Sequence, residues 1–229
     1  MKKLAFTLAE VLLTLAIIGV VTALTIPAVI TKVTKDQYVV GLKKAYNTLK
    51  SVEREAIREH GEITNWDWSG DVVETFDIYF KPHFDILKDC GISEDEGCSH
   101  GPEGWKSLTG TPYANLNADT NYRFITSDGI GFVYRLNAYS PPSRVANFIV
   151  DVNGKKGPNT LGRDVFEFNL YPTKGIKPYG TLLSDNENVS LSPDEIEATT
   201  GDGCNTSCTG SSCGWNCPVK VLAEGAMNY

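Results

Sequence analysis

Histidine is scarce in this chain: His60, His83 and His100 are the only three among 229 residues, and none stands at a spacing that makes a metal centre or a catalytic triad. Each reads as a surface or loop residue. No H-E-x-x-H helix, P-loop or dinucleotide fingerprint is present, so the signatures of zinc proteolysis, nucleotide hydrolysis and hydride transfer are missing and the expectation is that the chain is not an enzyme. Positive charge is short as well. Lys and Arg number 21 against 28 Asp and Glu, a net charge of -7, which argues against a nucleic-acid binder that needs a broadly basic face. No internal repeat of roughly 20–50 residues appears, which excludes solenoids and propellers.

The most informative shortage is of charge near the N-terminus. From Val11 to Ile30 there are 20 residues without a charged side chain. At 1.5 Å per helical residue such a stretch spans about 30 Å, the thickness of a bilayer's hydrocarbon core. Glu10 stands just ahead of it, at the edge of an apolar run that begins at Phe6. An acid buried in lipid costs a few kcal/mol or more, so its presence asks for a partner, most simply an amine. A secretory signal peptide with a cleavage site at Val21-Thr22-Ala23 is the bland alternative. Glu10 and the apolar residues that continue from Leu24 to Ile30 speak against it.

Lys2-Lys3 followed by Ala5-Phe6-Thr7-Leu8-Ala9-Glu10 and the long apolar run resembles the N-terminal signature of type IV pilins and of type II secretion pseudopilins. The resemblance implies cleavage by a prepilin peptidase between Ala5 and Phe6 and methylation of Phe6 as the new terminus. It implies that Glu10 neutralises the terminal amine of a neighbouring subunit during assembly. The family commonly has glycine where this chain has Ala5. Pro27 matches a proline common in such stems, where it removes a backbone donor and kinks or loosens the helix. Gly19, Thr14, Thr22 and Thr25 are small enough for stems to approach closely, and equally fit ordinary membrane-helix composition. The partners implied are the chain itself, other pilin-like subunits, the peptidase and an inner-membrane assembly platform. The implied location is the bacterial inner membrane with the head in the periplasm, then a periplasmic or cell-surface filament. Loss of Lys2 and Lys3 with the leader takes the net charge from -7 to -9.

Beyond Ile30, Tyr38, Leu42, Ala45, Leu49, Val52 and Ala56 recur at spacings of four and three, with Lys43, Lys44, Lys50, Arg54 and Arg58 opposite, so an amphipathic helix runs to about Glu59. Asp71 to Glu74 reads as a capping box for a helix over 72–80, and Ser192-Pro193-Asp194-Glu195 as a second. Residues 122–136 carry the strongest strand signal, with Asp128-Gly129 as the pair for a two-residue type I′ turn. Segments 145–152 and 164–170 supply two more strands. The expected fold is α+β: a long N-terminal helix, half membrane-embedded and half amphipathic, packed on a head with an antiparallel sheet of about four strands. The expected organisation is a cleaved leader (1–5), a membrane or filament-core helix (6–30), an amphipathic continuation (31–60) and a globular head (61–229).

Six cysteines in an exported chain point to disulfides: Cys90 with Cys98 across an acidic excursion, and Cys204, Cys208, Cys213 and Cys217 in any of three pairings. The last four could instead wrap a zinc ion. Asp151, Asn153, Asn159 and Asp164 form either a calcium loop, as the resemblance to major pseudopilins suggests, or a turn in which Asn and Asp bond their own backbone. Lys155 stands where an EF-hand spacing would place an acid. No other cofactor is expected. Trp66, Trp68, Trp105 and Trp215 are buried anchors, or sugar-binding rings if exposed. A basic segment between Gly154 and Pro178 and an acidic one between Pro178 and Val219 suit head-to-tail contacts, or are ordinary solvated surface. The leading expectation is a pilus or pseudopilus subunit; the rival is an anchored exported binding protein or adhesin that does not polymerise.

Overall fold

The computed structural model describes residues 7–92, 97–98, 104–113, 120–137, 144–181 and 191–229. The processing pair Ala5 and Phe6 and the third histidine, His100, lie outside them. The chain divides into two compact units, 1–37 and 38–229.

Helix α1 (Leu8–His60) is a continuous 53-residue α-helix with Pro27 inside it. Its first half is long and apolar enough to cross a membrane, with a mean hydropathy of 2.4 over its best 18-residue window, none of it buried. Thr14, Thr25 and Thr31 turn their hydroxyls back to main-chain carbonyls one turn earlier, which leaves the stem's outer surface apolar. The second unit begins at Tyr38 and so includes the amphipathic half of α1. There the stripe is as the spacing requires: Leu42, Ala45, Leu49, Val52 and Ala56 are buried, while Lys43, Lys44, Arg54 and Arg58 are exposed.

The stripe lies on one face of a six-stranded antiparallel sheet, ordered β1-β4-β5-β6-β7-β8. The strands are β1 (Ile86–Gly91), β4 (Asn121–Thr126), β5 (Gly131–Leu136), β6 (Ala146–Asp151), β7 (Val165–Tyr171) and β8 (Gly175–Pro178). A separate two-stranded piece, β2 (Trp105–Lys106) and β3 (Pro112–Tyr113), is inserted between β1 and β4. Tyr46 of α1 stacks on Phe168 of β7 at 5.4 Å. Helix α2 (Val72–Tyr79), with the Asp71 carboxylate capping the N–H groups of Val73 and Glu74, covers the β4–β6 part of the same face. Phe76 meets Tyr122, Phe124 and Tyr134 there, and Phe84 meets Phe132 and Phe148. The fold is therefore α+β, a long N-terminal helix packed against an antiparallel sheet.

Two expectations need correction. The sheet has six strands, not four, because β1 pairs with β4 from inside the cysteine excursion and β8 returns from β7. The Asp128-Gly129 turn is a three-residue loop rather than a two-residue type I′ turn. Thr126 N–H bonds the Ile130 carbonyl at 3.0 Å, and of the central residues Gly129 alone takes a positive φ. Both faces of the sheet are covered: every residue of β6 and β7 is buried, and so is Arg123 on β4. The second face is covered by Trp105, Leu161 and Trp215, packed on Val133, Ile149 and Val165.

One charge on the stripe escapes its periodicity. Glu53 is 7 % exposed, ion-pairs with Lys50 at 2.5 Å and accepts the Ile176 N–H at 3.1 Å, so α1 caps the start of β8. Gly175, at φ +68°, leaves the room: a Cβ there would fall 1.9 Å from a Glu53 carboxylate oxygen. Replacing Glu53 by Ala strands a buried N–H and is expected to cost about 1–3 kcal/mol in urea unfolding, whereas Lys50→Ala, at a partly exposed ion pair, should cost under about 1 kcal/mol.

Candidate functional site

The stem's acid sits at the first turn of α1. Thr7 donates both its N–H and its hydroxyl to Glu10 Oε2, each at 2.8 Å, and its hydroxyl oxygen accepts the Glu10 N–H at 3.3 Å. This is a reciprocal capping box, T-x-x-E, which the sequence contained but which the reading of Glu10 as a lone membrane acid passed over. Glu10 therefore has a local role, closing the helix start, beside any role toward another chain. A Cβ at Gly19 would meet open space, as expected anywhere on the exposed stem.

The six cysteines form three disulfides: Cys90–Cys98, Cys204–Cys217 and Cys208–Cys213. The last two are nested, so the smaller loop closes inside the larger, and all four sulfurs are consumed. The zinc alternative for them falls away. Such cross-links typically contribute about 2–4 kcal/mol each. Cys217 opens helix α4 (Cys217–Glu224), so the bridges brace the loop that leads into that helix, and burial of its Val221 in the core docks the segment on the head. Helix α3 (Pro193–Ile196) is a single turn that begins with the expected capping box of Ser192 and Glu195.

Asp151, Asn153, Asn159 and Asp164 converge where β6 ends and β7 begins. Asp164, fully buried, accepts the N–H groups of Asn159 at 2.8 Å and Thr160 at 2.7 Å, and Asp151 accepts the Asn153 N–H at 3.2 Å. To that extent the segment is the backbone-bonded turn. Burial, and then the neighbouring Asp164, push the Asp151 carboxyl well above the usual carboxylate range; burial likewise raises Asp164. Two inward amide oxygens, Asn153 Oδ1 and Asn159 Oδ1, meet no hydrogen-bond donor among the described residues. Lys155 and Lys156, whose charge argued against a cation, are both exposed. An all-oxygen donor set with two repelling acids and two unsatisfied amides fits a hard cation such as calcium. Asp164, with both oxygens engaged by the main chain, would shape the loop, and Asp151, Asn153 and Asn159 would hold the ion.

On the other face of the sheet a cavity of about 240 Å³ opens over a polar floor. Arg135 on β5, Asn147 on β6 and Glu167 on β7 form that floor. Trp215 and Tyr179 stand 6.0 Å apart as walls, Arg144 lies 6.0 Å over the Tyr179 ring, and Tyr179 donates to Asp202 at 2.6 Å. Asn147 donates to Glu167 at 2.9 Å. Burial lifts the Glu167 carboxyl to about 7, against the opposing pull of Arg144 and Arg135. Nothing in the spacing of these residues announced the cavity; they meet because their strands pair. Contrary to the expectation that the chain has no G-x-S-x-G, Gly210-Ser211-Ser212-Cys213-Gly214 has that spacing, and Ser212 lines the cavity. Its context is a disulfide-closed turn rather than a strand-to-helix elbow, and no histidine stands among the lining residues. The arrangement can hold a small polar group. All four tryptophans are buried, as anchors.

Two outcomes follow. Calcium at millimolar concentration should raise the thermal midpoint of the full chain in detergent, magnesium should do so less, and Asp151→Asn should abolish the gain; no shift would leave the segment a turn. For Glu167 the folded pKa of about 7 lies above the unfolded value of 4.5. The folded state thus holds the extra proton between them, and this group's contribution to stability falls as pH rises through that window. Wild type minus Glu167→Gln in urea unfolding should show that fall, on the order of 3 kcal/mol from pH 4.5 to pH 8.

In comparisons with known proteins, no family profile, no curated protein and no solved structure matches the chain.

Proposed function

We propose that this chain is a structural subunit of a type IV pilus-like or type II secretion pseudopilus filament, made as a membrane-anchored precursor and polymerised through its N-terminal helix. The observation that carries the reading is the apolar surface of α1. Fourteen large aliphatic side chains between Leu8 and Val33 are 43–78 % exposed. Left in water rather than buried, they forfeit roughly 20–40 kcal/mol at about 1.5–3 kcal/mol each, more than a whole domain's stability of about 5–15 kcal/mol. A bilayer removes that penalty before assembly, and a bundle of identical stems removes it afterwards. Glu10, at the head of this surface, supports the second destination, since a charge in such a bundle needs an opposite one from a neighbour. The long helix with an antiparallel sheet on its polar half agrees with the α+β architecture that the resemblance leads one to expect.

The cavity lined by Arg135, Arg144, Glu167 and Trp215 favours the second reading, an anchored exported protein whose head binds a small polar ligand. Glu10 separates the two. Glutamine preserves the capping box with Thr7 and removes the charge. Under the filament reading Glu10→Gln and Glu10→Ala are both cleaved after Ala5, both inserted in the membrane, and both absent from sheared or cross-linked polymer. Polymer formation by Glu10→Gln at the wild-type level would reduce Glu10 to a helix cap and leave the anchored binding protein as the better account.

A further inference from the structure

We infer that Glu59, His60 and His83 form a site for a divalent transition metal, zinc being the ion their donor set fits best. Glu59 and His60 are adjacent in the last turn of α1, and His83 stands 23 residues further on, in the turn at Lys81–His83 that leads toward β1. Folding brings one donor atom from each within 4.8 Å of the other two. His83 Nε2 lies 3.5 Å from Glu59 Oε2, beyond a good hydrogen bond and close to the ~3.3 Å edge of a tetrahedron with 2.0–2.1 Å metal bonds.

The two imidazoles are held in place while their Nε2 atoms stay without a hydrogen bond among the described residues. Tyr79 and Trp66 present themselves edge-on to the His60 ring at 5.2 and 6.2 Å, and the His83 side chain is only 11 % exposed. Both Nε2 atoms are buried and neither has a hydrogen-bond partner among the described residues. A buried acceptor left without a donor costs about 1–3 kcal/mol, so two of them beside a carboxylate need an explanation. Imidazole is the commonest metal ligand, and two histidines with one carboxylate are an established zinc donor set. Glu59, whose side chain is 58 % exposed, has room to adjust its carboxylate to an ion. A cation here also meets the negative end of the α1 dipole.

Three protein ligands leave a fourth tetrahedral position open, for water or for a side chain of another molecule. The ion would clip the end of α1 to the α2–β1 connection, so the expected consequence is mechanical: a more tightly fastened head.

The test uses the tag-free full chain in detergent, disulfides intact, freed of metal with EDTA and titrated with zinc chloride by calorimetry. One zinc per chain at micromolar or lower Kd is expected, with a raised thermal midpoint. His60→Ala and His83→Ala should each weaken binding by at least ~10-fold, and Glu59→Gln by about 10-fold. Asp151→Asn, at the β6–β7 segment, should leave zinc affinity unchanged. Cobalt titration of the unaltered protein provides a readout independent of any variant: an intense visible spectrum from a tetrahedral ion with nitrogen ligands is expected. No saturable zinc binding, a weak octahedral cobalt spectrum, binding that survives loss of both histidines, or binding lost with Asp151→Asn would each overturn the inference.

Discussion

Water's intolerance of a long aliphatic surface is the constraint on which the molecule is organised. One helix carries two incompatible exteriors in sequence: up to about Val33 it presents leucine, isoleucine and valine all round, and from Tyr38 it narrows to a stripe that the sheet covers. Among the described residues the first exterior stays exposed, and on the reading proposed above lipid or other stems would cover it. The second is satisfied internally, by Phe168, Ile176 and their neighbours. Filament formation, on this account, is the burial of the first surface by repetition.

The head is built to be stiff. Aromatic rings from α2 and the following turn fill the space between helix and sheet, a Glu53 carboxylate fastens α1 to β8, and two nested disulfides hold the C-terminal segment. The sheet's second face is the less usual part. It carries Arg123, Asn147, Glu167 and Asn169, all buried, under a lid contributed by the β2–β3 insertion and Trp215. Burying those groups raises Glu167 toward neutrality and costs stability, which a purely structural sheet would avoid with aliphatic side chains. The cavity above them is where a ligand or a neighbour's side chain would find charge and aromatic surface together.

The stripe on α1 was legible because a helix shows its buried face at spacings of three and four, and β4 and β5 because their residues alternate about Asp128-Gly129. What stayed hidden depends on pairing. Strand β1, Ile-Leu-Lys-Asp-Cys-Gly, has no period of its own and becomes a strand through its register with β4. Arg123 and Glu167 look solvent-facing until a second layer covers them. The turn type was misjudged because the register Ile125 to Gly131 adds a residue that the Asp-Gly pair alone does not reveal. At the sites, the Cys90–Cys98 pair and the convergence of Asp151 with Asp164 followed from proximity in the chain, whereas the sequence left three pairings open for the last four cysteines. His60 and His83 meet only through the tertiary fold, and the Thr7–Glu10 box was overlooked although its spacing was plain.

The claim that the apolar stem is kept and buried in an assembly, rather than discarded on export, is tested most directly at the N-terminus of the mature protein. Intact-mass and terminal-peptide mass spectrometry of membrane and polymer fractions should find a chain beginning with N-methylated Phe6. A mature chain beginning near Leu24 would show that the stem is a signal removed on export, and one retaining Met1 would show that no processing takes place; either would contradict the account.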